Sequence, residues 1–200
     1  ERELRFLDLL ARQAAATIEQ RRSDNALRES ERRLSAELAD MQLLQRLSAQ
    51  LIEDQGSAAL YETLVDAANS IMHSHAATMQ MLHPDRGSHG ELRLIASRGF
   101  DDEAQQKWEW VRHDAHTTCA QAFRTGARVI VPDMAHWEFM AGSVDQAMLL
   151  ATGMRGAQTT PLVSREGKTL GMITTYWAVP HRPSEREFQL LDILARQAAD

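Results

Sequence analysis

The segment His113-Asp-Ala-His116-Thr-Thr-Cys119 gathers three metal-ligand side chains at i, i+3 and i+6. On an unbroken helix that spacing puts all three on one face, where they could hold zinc or an iron porphyrin. Thr117 and Thr118 oppose this, because threonine is a preferred N-cap and a helix starting there separates the histidines from the cysteine. No metal site is therefore expected. Cys119, alone among alanines and a phenylalanine, reads as a small buried hydrophobe. His73 and His75 flank one serine and point to opposite faces of an extended segment, which suits a surface. A second concentration is apolar: Trp108, Trp110, Phe123 and Met134, then Trp137, Phe139, Met140 and Met148, all within 98–154. Such residues make either the wall of a small-ligand pocket or a core closed beneath long loops. No acid–base dyad, nucleophile elbow, Walker loop or dinucleotide fingerprint is present, so catalysis is not expected.

The elements that must position these residues follow from periodicity. Ser57 to Met72 carries Leu60, Leu64, Ala67, Ala68 and Ile71 on one helical face. Residues 76–82 and 91–97 read as strands joined by a polar loop with two glycines. Residues 101–112 and 117–125 read as short helices, the second ended by Gly126. A strand at 128–133 and a helix at 143–153 follow. Residues 156–164 and 169–177 form a hairpin around Arg-Glu-Gly-Lys, where Gly167 takes positive φ. The last helix starts after Pro183 with Ser184 as N-cap and Glu187 three residues on, a capping box. This order predicts an α+β fold, an antiparallel sheet with helices on one face, preceded by a long N-terminal helix.

The chain opens as it closes. Residues 1–15 (ERELRFLDLLARQAA) and 185–199 (EREFQLLDILARQAA) agree at 11 of 15 positions. The reading is that residues 1–22 are the last helix of a preceding domain of the same kind, 23–54 a helical linker or coiled coil, and 55–200 one complete copy. Before Gly56 there is neither glycine nor proline, and the first 54 residues hold 20 interspersed charges. A continuous helix of that length would span about 80 Å. Leu27, Leu34, Leu38 and Met41 approximate a coiled-coil seam, with Leu44, Leu47 and Leu51 continuing it after a phase slip. Pairing of two copies is expected through Leu27 to Met41 and through Leu190 and Leu194 of the last helix, whereas Leu44 to Ile52 is expected to pack back on its own domain.

The block TTPLVSREGKTLGMITTYW, followed by HRPSEREFQLLDILARQAA, resembles the end of a GAF domain, and CAQAFRTGARVIVPDM is similar to its middle. The resemblance covers roughly residues 40–200. It implies a six-stranded antiparallel sheet, subunit-pairing helices at one face and a ligand pocket at the other. The implied pocket falls at Trp108, Trp110, His113, His116, Cys119 and Phe123, with Trp137, Phe139 and Met148. Met79 and Met81 on the first strand and Thr175 on the last join them. GAF domains that reduce methionine sulfoxide use several cysteines, and those that attach a bilin show Asp-Pro and Cys-His neighbours; this chain has neither pattern.

A net charge of −6 argues against general affinity for nucleic acid or anionic membrane. No apolar run is long enough to span a bilayer. The single cysteine excludes an internal disulfide and suggests a reducing, cytoplasmic setting. Tandem GAF domains on long helices resemble the sensory half of bacterial histidine kinases. The leading expectation is thus a non-catalytic sensory or relay module, a homodimer, with its cofactor unknown and the kinase core not in this sequence. A receptor for a tetrapyrrole or other small molecule, and a structural dimerisation spacer, stand as alternatives.

Overall fold

The computed structural model describes residues 18–22, 24–25, 27–31, 35 and 57–199. The chain divides into two units, residues 1–45 and 46–200. In the first, the described residues are helical and exposed, Leu27 among them. The repeat at 1–15 and the seam residues Leu34, Leu38 and Met41 lie outside the described residues. No described helix is long and apolar enough to cross a membrane.

The second unit begins with α1 (Ser57–Ile71) and ends with α5 (Glu185–Ala199). Between them run β1 (Ala76–His83), β2 (Glu91–Arg98), α2 (Asp102–Lys107), β3 (Trp110–Arg112), α3 (Thr118–Thr125) and β4 (Val129–Val131). Two 3-10 turns (Met134–His136, Glu138–Met140), α4 (Val144–Ala151), β5 (Gly156–Val163) and β6 (Thr169–Trp177) complete the order. The six strands form one antiparallel sheet, β3-β2-β1-β6-β5-β4.

Strand alternation divides the sheet into two faces. One carries Met79, Leu162 and Ile173, all fully buried. It packs beneath α1 and α5, which also touch each other. The apolar stripe of α1 is buried there through Leu64, Ala67, Ala68 and Ile71, and that of α5 through Leu191, Leu194 and Ala195. Arg98 ties β2 to α1 by pairing with Asp66 and with Glu62 at 3.0 Å. The other face carries Thr78, Gln80, Met172, Thr174 and Tyr176, and the small helices close over it around a core that includes Val111, Ala120, Met134, Met140 and Leu149.

The predicted caps form. Ser184 N–H donates to Glu187 Oε2 at 2.6 Å and Glu187 N–H to Ser184 Oγ at 3.3 Å, both halves of the capping box. Thr117 caps α3, and Gly126 ends it at φ 64°. The helix predicted over 101–112 is corrected: it stops at Lys107, and Trp110–Arg112 is a strand paired with Glu91–Arg93. Leu194 is fully buried within its own domain, and Ile193 is its exposed neighbour, at 43%.

Candidate functional site

The site is built by β1, β2 and β6 below and by α2, α3 and α4 around the rim. On β1, Thr78 and Gln80 point to this face while Met79 points to the helices. On β2, a register shift opposite Met79 and Gln80 inserts Ile95 as an extra residue, so Leu94 pairs with Gln80 and Ala96 with Met79. The bulge restarts the alternation, and Leu94 and Ser97, three apart, both face the site. At the end of β2, Gly99 turns the chain into α2 with φ 79°. A Cβ there would lie 2.3 Å from the His75 carbonyl oxygen, so only glycine fits the turn.

The resulting cavity is narrow, with a volume of about 20 Å³, and is partly open to solvent. Its aromatic wall is Phe100, Trp108 and Tyr176: Phe100 meets Tyr176 edge-on at 5.0 Å and lies 5.8 Å from Trp108. The start of α3 supplies Thr117, Thr118 and Cys119, and α4 supplies Leu149. Cys119 Sγ lies 3.3 Å from Thr174 Oγ1. Thr159 Oγ1 lies 2.9 Å from Thr174 Oγ1 and donates to Thr118 Oγ1 at 2.9 Å. Burial pushes the Cys119 thiol up, and burial, reinforced by the neighbouring Cys119, pushes the Tyr176 phenol up. Both are therefore neutral, and Cys119 is no nucleophile.

Three buried atoms in this cavity have no partner within the protein: Gln80 Oε1, Ser97 Oγ and Trp108 Nε1. Each such atom costs about 1–3 kcal/mol if nothing satisfies it, so three would cost about 3–9 kcal/mol. That rivals the whole net stability of a domain, about 5–15 kcal/mol. Water or a ligand must meet them.

Of the residues expected in a pocket, Trp108 and Cys119 line the cavity. Met79 and Thr175 face the opposite side of the sheet, where Gln158 Nε2 donates to Thr175 Oγ1 at 3.3 Å. Met81, half-buried at the end of β1, packs near Gly171. Trp110 sits in strand β3 against His83, with the Arg86 guanidinium 3.8 Å over its ring. His113 stacks with His89 at 4.8 Å and meets Phe123 at 5.3 Å. His116 packs on Phe139 at 5.5 Å. Phe123, Trp137 and Phe139 back the core, and Met148 faces a groove between α2 and α4. The two histidines and the cysteine do not converge, and no group of three or more His, Cys, Asp or Glu among the described residues could hold a metal.

Thr78, Gln80, Ser97 and Tyr176 escaped the sequence reading. The signal was the polar alternation Thr78-Met79-Gln80-Met81, whose apolar members were assigned to the pocket when its polar members line it.

The GAF domain family model matches residues 54–200. The chain belongs to the GAF domain family. Solved structures agree. A domain ascribed to a two-component sensor histidine kinase protein of Sinorhizobium meliloti is 20% identical, with a TM-score of 0.57 over 73% of this chain and 90% of that one. The GAF domain of an Acinetobacter phosphoenolpyruvate-protein phosphotransferase reaches 0.64 at 14% identity, covering 80% and 90%. The fRMsr of Staphylococcus aureus reaches 0.59 at 11% identity, covering 78% and 90%. At these identities the likeness is one of fold. None of the curated proteins matches the chain in sequence. As a GAF domain it is a signalling and sensory module, of a kind that is in general regulatory and non-catalytic.

Proposed function

We propose that this GAF domain is the sensory and relay module of a multidomain signal-transduction protein, of sensor histidine kinase type, with a small molecule in its cavity as the input. The observation that carries the reading is the set of unpartnered polar atoms on Gln80, Ser97 and Trp108, in a cavity walled by aromatic rings. The strands that floor the cavity carry α1 on their other face, and α5 lies on the adjoining β5 and against α1. Occupancy of the cavity shifts β1, β2 and β6, and the two helices, paired with those of a second copy, pass the shift on as a small rotation. The likeness to the Sinorhizobium domain supports the histidine kinase parent.

The test is native mass spectrometry with amide hydrogen exchange on the purified chain, before and after stripping bound molecules by unfolding and refolding. An adduct above 22.5 kDa that stripping removes, with faster exchange afterwards in residues 185–199, is the expected result. A bare mass and unchanged exchange on both occasions favour a structural spacer instead.

A further inference from the structure

We propose that His89 and His113 form a binding site for a divalent transition-metal ion of the nitrogen-preferring kind, zinc or nickel. The two rings line an open hollow that shares no residue with the cavity, so this site and the reading of the cavity stand or fall separately.

Two loops bring the histidines together. His89 stands in the turn between β1 and β2, and His113 directly follows β3. Pairing of Trp110–Arg112 with Glu91–Arg93 sets those two loops side by side. His113 is held from behind. Its ring meets Phe123 edge-on at 5.3 Å, and Arg124 donates to its carbonyl and, at 3.2 Å, to that of Ala115. The His113 side chain is half-buried while His89 is exposed, so the pair has one fixed member and one approachable one.

The spacing is that of metal ligands. The ring centroids lie 4.8 Å apart, with the planes inclined at 33°. An imidazole nitrogen sits about 2.1 Å from its metal, which puts two imidazoles on neighbouring positions of one ion about 5 Å apart, centroid to centroid. The pair already has that separation, and a turn of the rings about their side-chain bonds completes the approach. Imidazole suits zinc and nickel, whereas magnesium and calcium take oxygen. No third His, Cys, Asp or Glu completes a set among the described residues, so water fills the remaining positions.

The charges around the hollow tolerate a cation. Glu91 and Asp114 line it, and each is paired with an arginine, Glu91 with Arg86 at 2.9 Å and Asp114 with Arg112 at 2.7 Å. The Arg112–Asp114 pair is exposed on both sides and contributes little, so the carboxylate is free to turn toward the ion. A bound ion would clasp the β1–β2 turn to the segment that leads into α3.

Titration of the whole chain, purified without a histidine tag, tests the site, with zinc and nickel chloride as probes and magnesium chloride as control. Calorimetry should give one zinc or nickel ion per chain and no heat from magnesium. With zinc, the ring signals of His89 and His113 should move in NMR spectra while those of His73 and His136 stay. His89→Gln and His113→Gln should each weaken binding about tenfold or more, and His136→Gln should not. Zinc at a hundredfold excess over Kd should raise the melting temperature by about 5–10 °C, a rise that either of the first two variants loses. Binding that survives in the His89→Gln, His113→Gln double variant, or ring shifts confined to other histidines, would overturn the proposal. Failure of both zinc and nickel to bind the native chain would overturn it equally.

Discussion

Asp133 shows how one side chain fixes the rim of the cavity. It follows the end of β4 and accepts from Arg155, just before β5, through Nε at 3.0 Å and Nη2 at 2.8 Å. It also meets His136 Nδ1 at 2.8 Å and accepts from the Ala135 N–H at 3.2 Å. The segment between Asp133 and Arg155, which carries α4 and Leu149, is thereby closed at its base. The His136 bond, with the Arg155 bonds behind it, lowers the Asp133 carboxyl from 3.8 to about 2. A depressed folded-state value means the stabilisation is present above about pH 4 and disappears as pH falls toward 2. Asp133→Asn should therefore lose stability less steeply than the wild type across that window, as read from urea midpoints at successive pH values. Parallel acid limbs in the two proteins would show that Asp133 carries none of the dependence.

At the scale of elements, α5 depends on its first turn. Ser184 and Glu187 close the box reciprocally, and both are solvent-accessible enough that no packing confuses the measurement. Ser184→Ala should destabilise the domain by about 1 kcal/mol. Glu187→Gln should cost much less, because the amide oxygen still accepts from the Ser184 N–H. Chemical denaturation checks both, and equal losses in the two variants would contradict the assignment.

Caps of this kind were legible in the sequence because cap and turn chemistry is local: Ser184, Thr117, Gly126 and Gly167 each act on atoms within a few residues. Strand β3 was not. Glu-Ala-Gln-Gln-Lys-Trp-Glu-Trp favours a helix throughout, and only the edge of β2, brought there by the fold, draws Trp110–Arg112 into the sheet. The facing of β1 was equally hidden. Alternation reveals that Thr78 and Met79 lie on opposite sides, but which side holds the cavity is decided by the helices that cover the other.

At the scale of the whole molecule, the second copy is the open quantity. Leu190 is half-buried and Ile193 43% exposed on α5, while Leu191 and Leu194 are consumed by the domain's own core. If α5 pairs with its counterpart, the chain should run at twice 22.5 kDa in sedimentation. Ile193→Glu should then shift it toward the monomer without lowering the melting temperature. Leu194→Glu, by contrast, should unfold it, since a charge would be forced into the core. A mass unaffected by Ile193→Glu would remove α5 from any pairing surface.

The two faces of the sheet also differ optically. Trp108 stands in the cavity wall with its N–H unpartnered. Trp177 is 2% exposed, donates its N–H to the Met72 carbonyl just past the end of α1 at 3.2 Å, and lies against His181 at 4.5 Å. The protein thus carries one native fluorophore in the cavity wall and another beside the end of α1, separated by a single layer of backbone. With Trp110 and Trp137 replaced by phenylalanine, the emission of one reports what enters the cavity and the emission of the other what reaches the helices. The time between the two signals would be the transit time of the message itself.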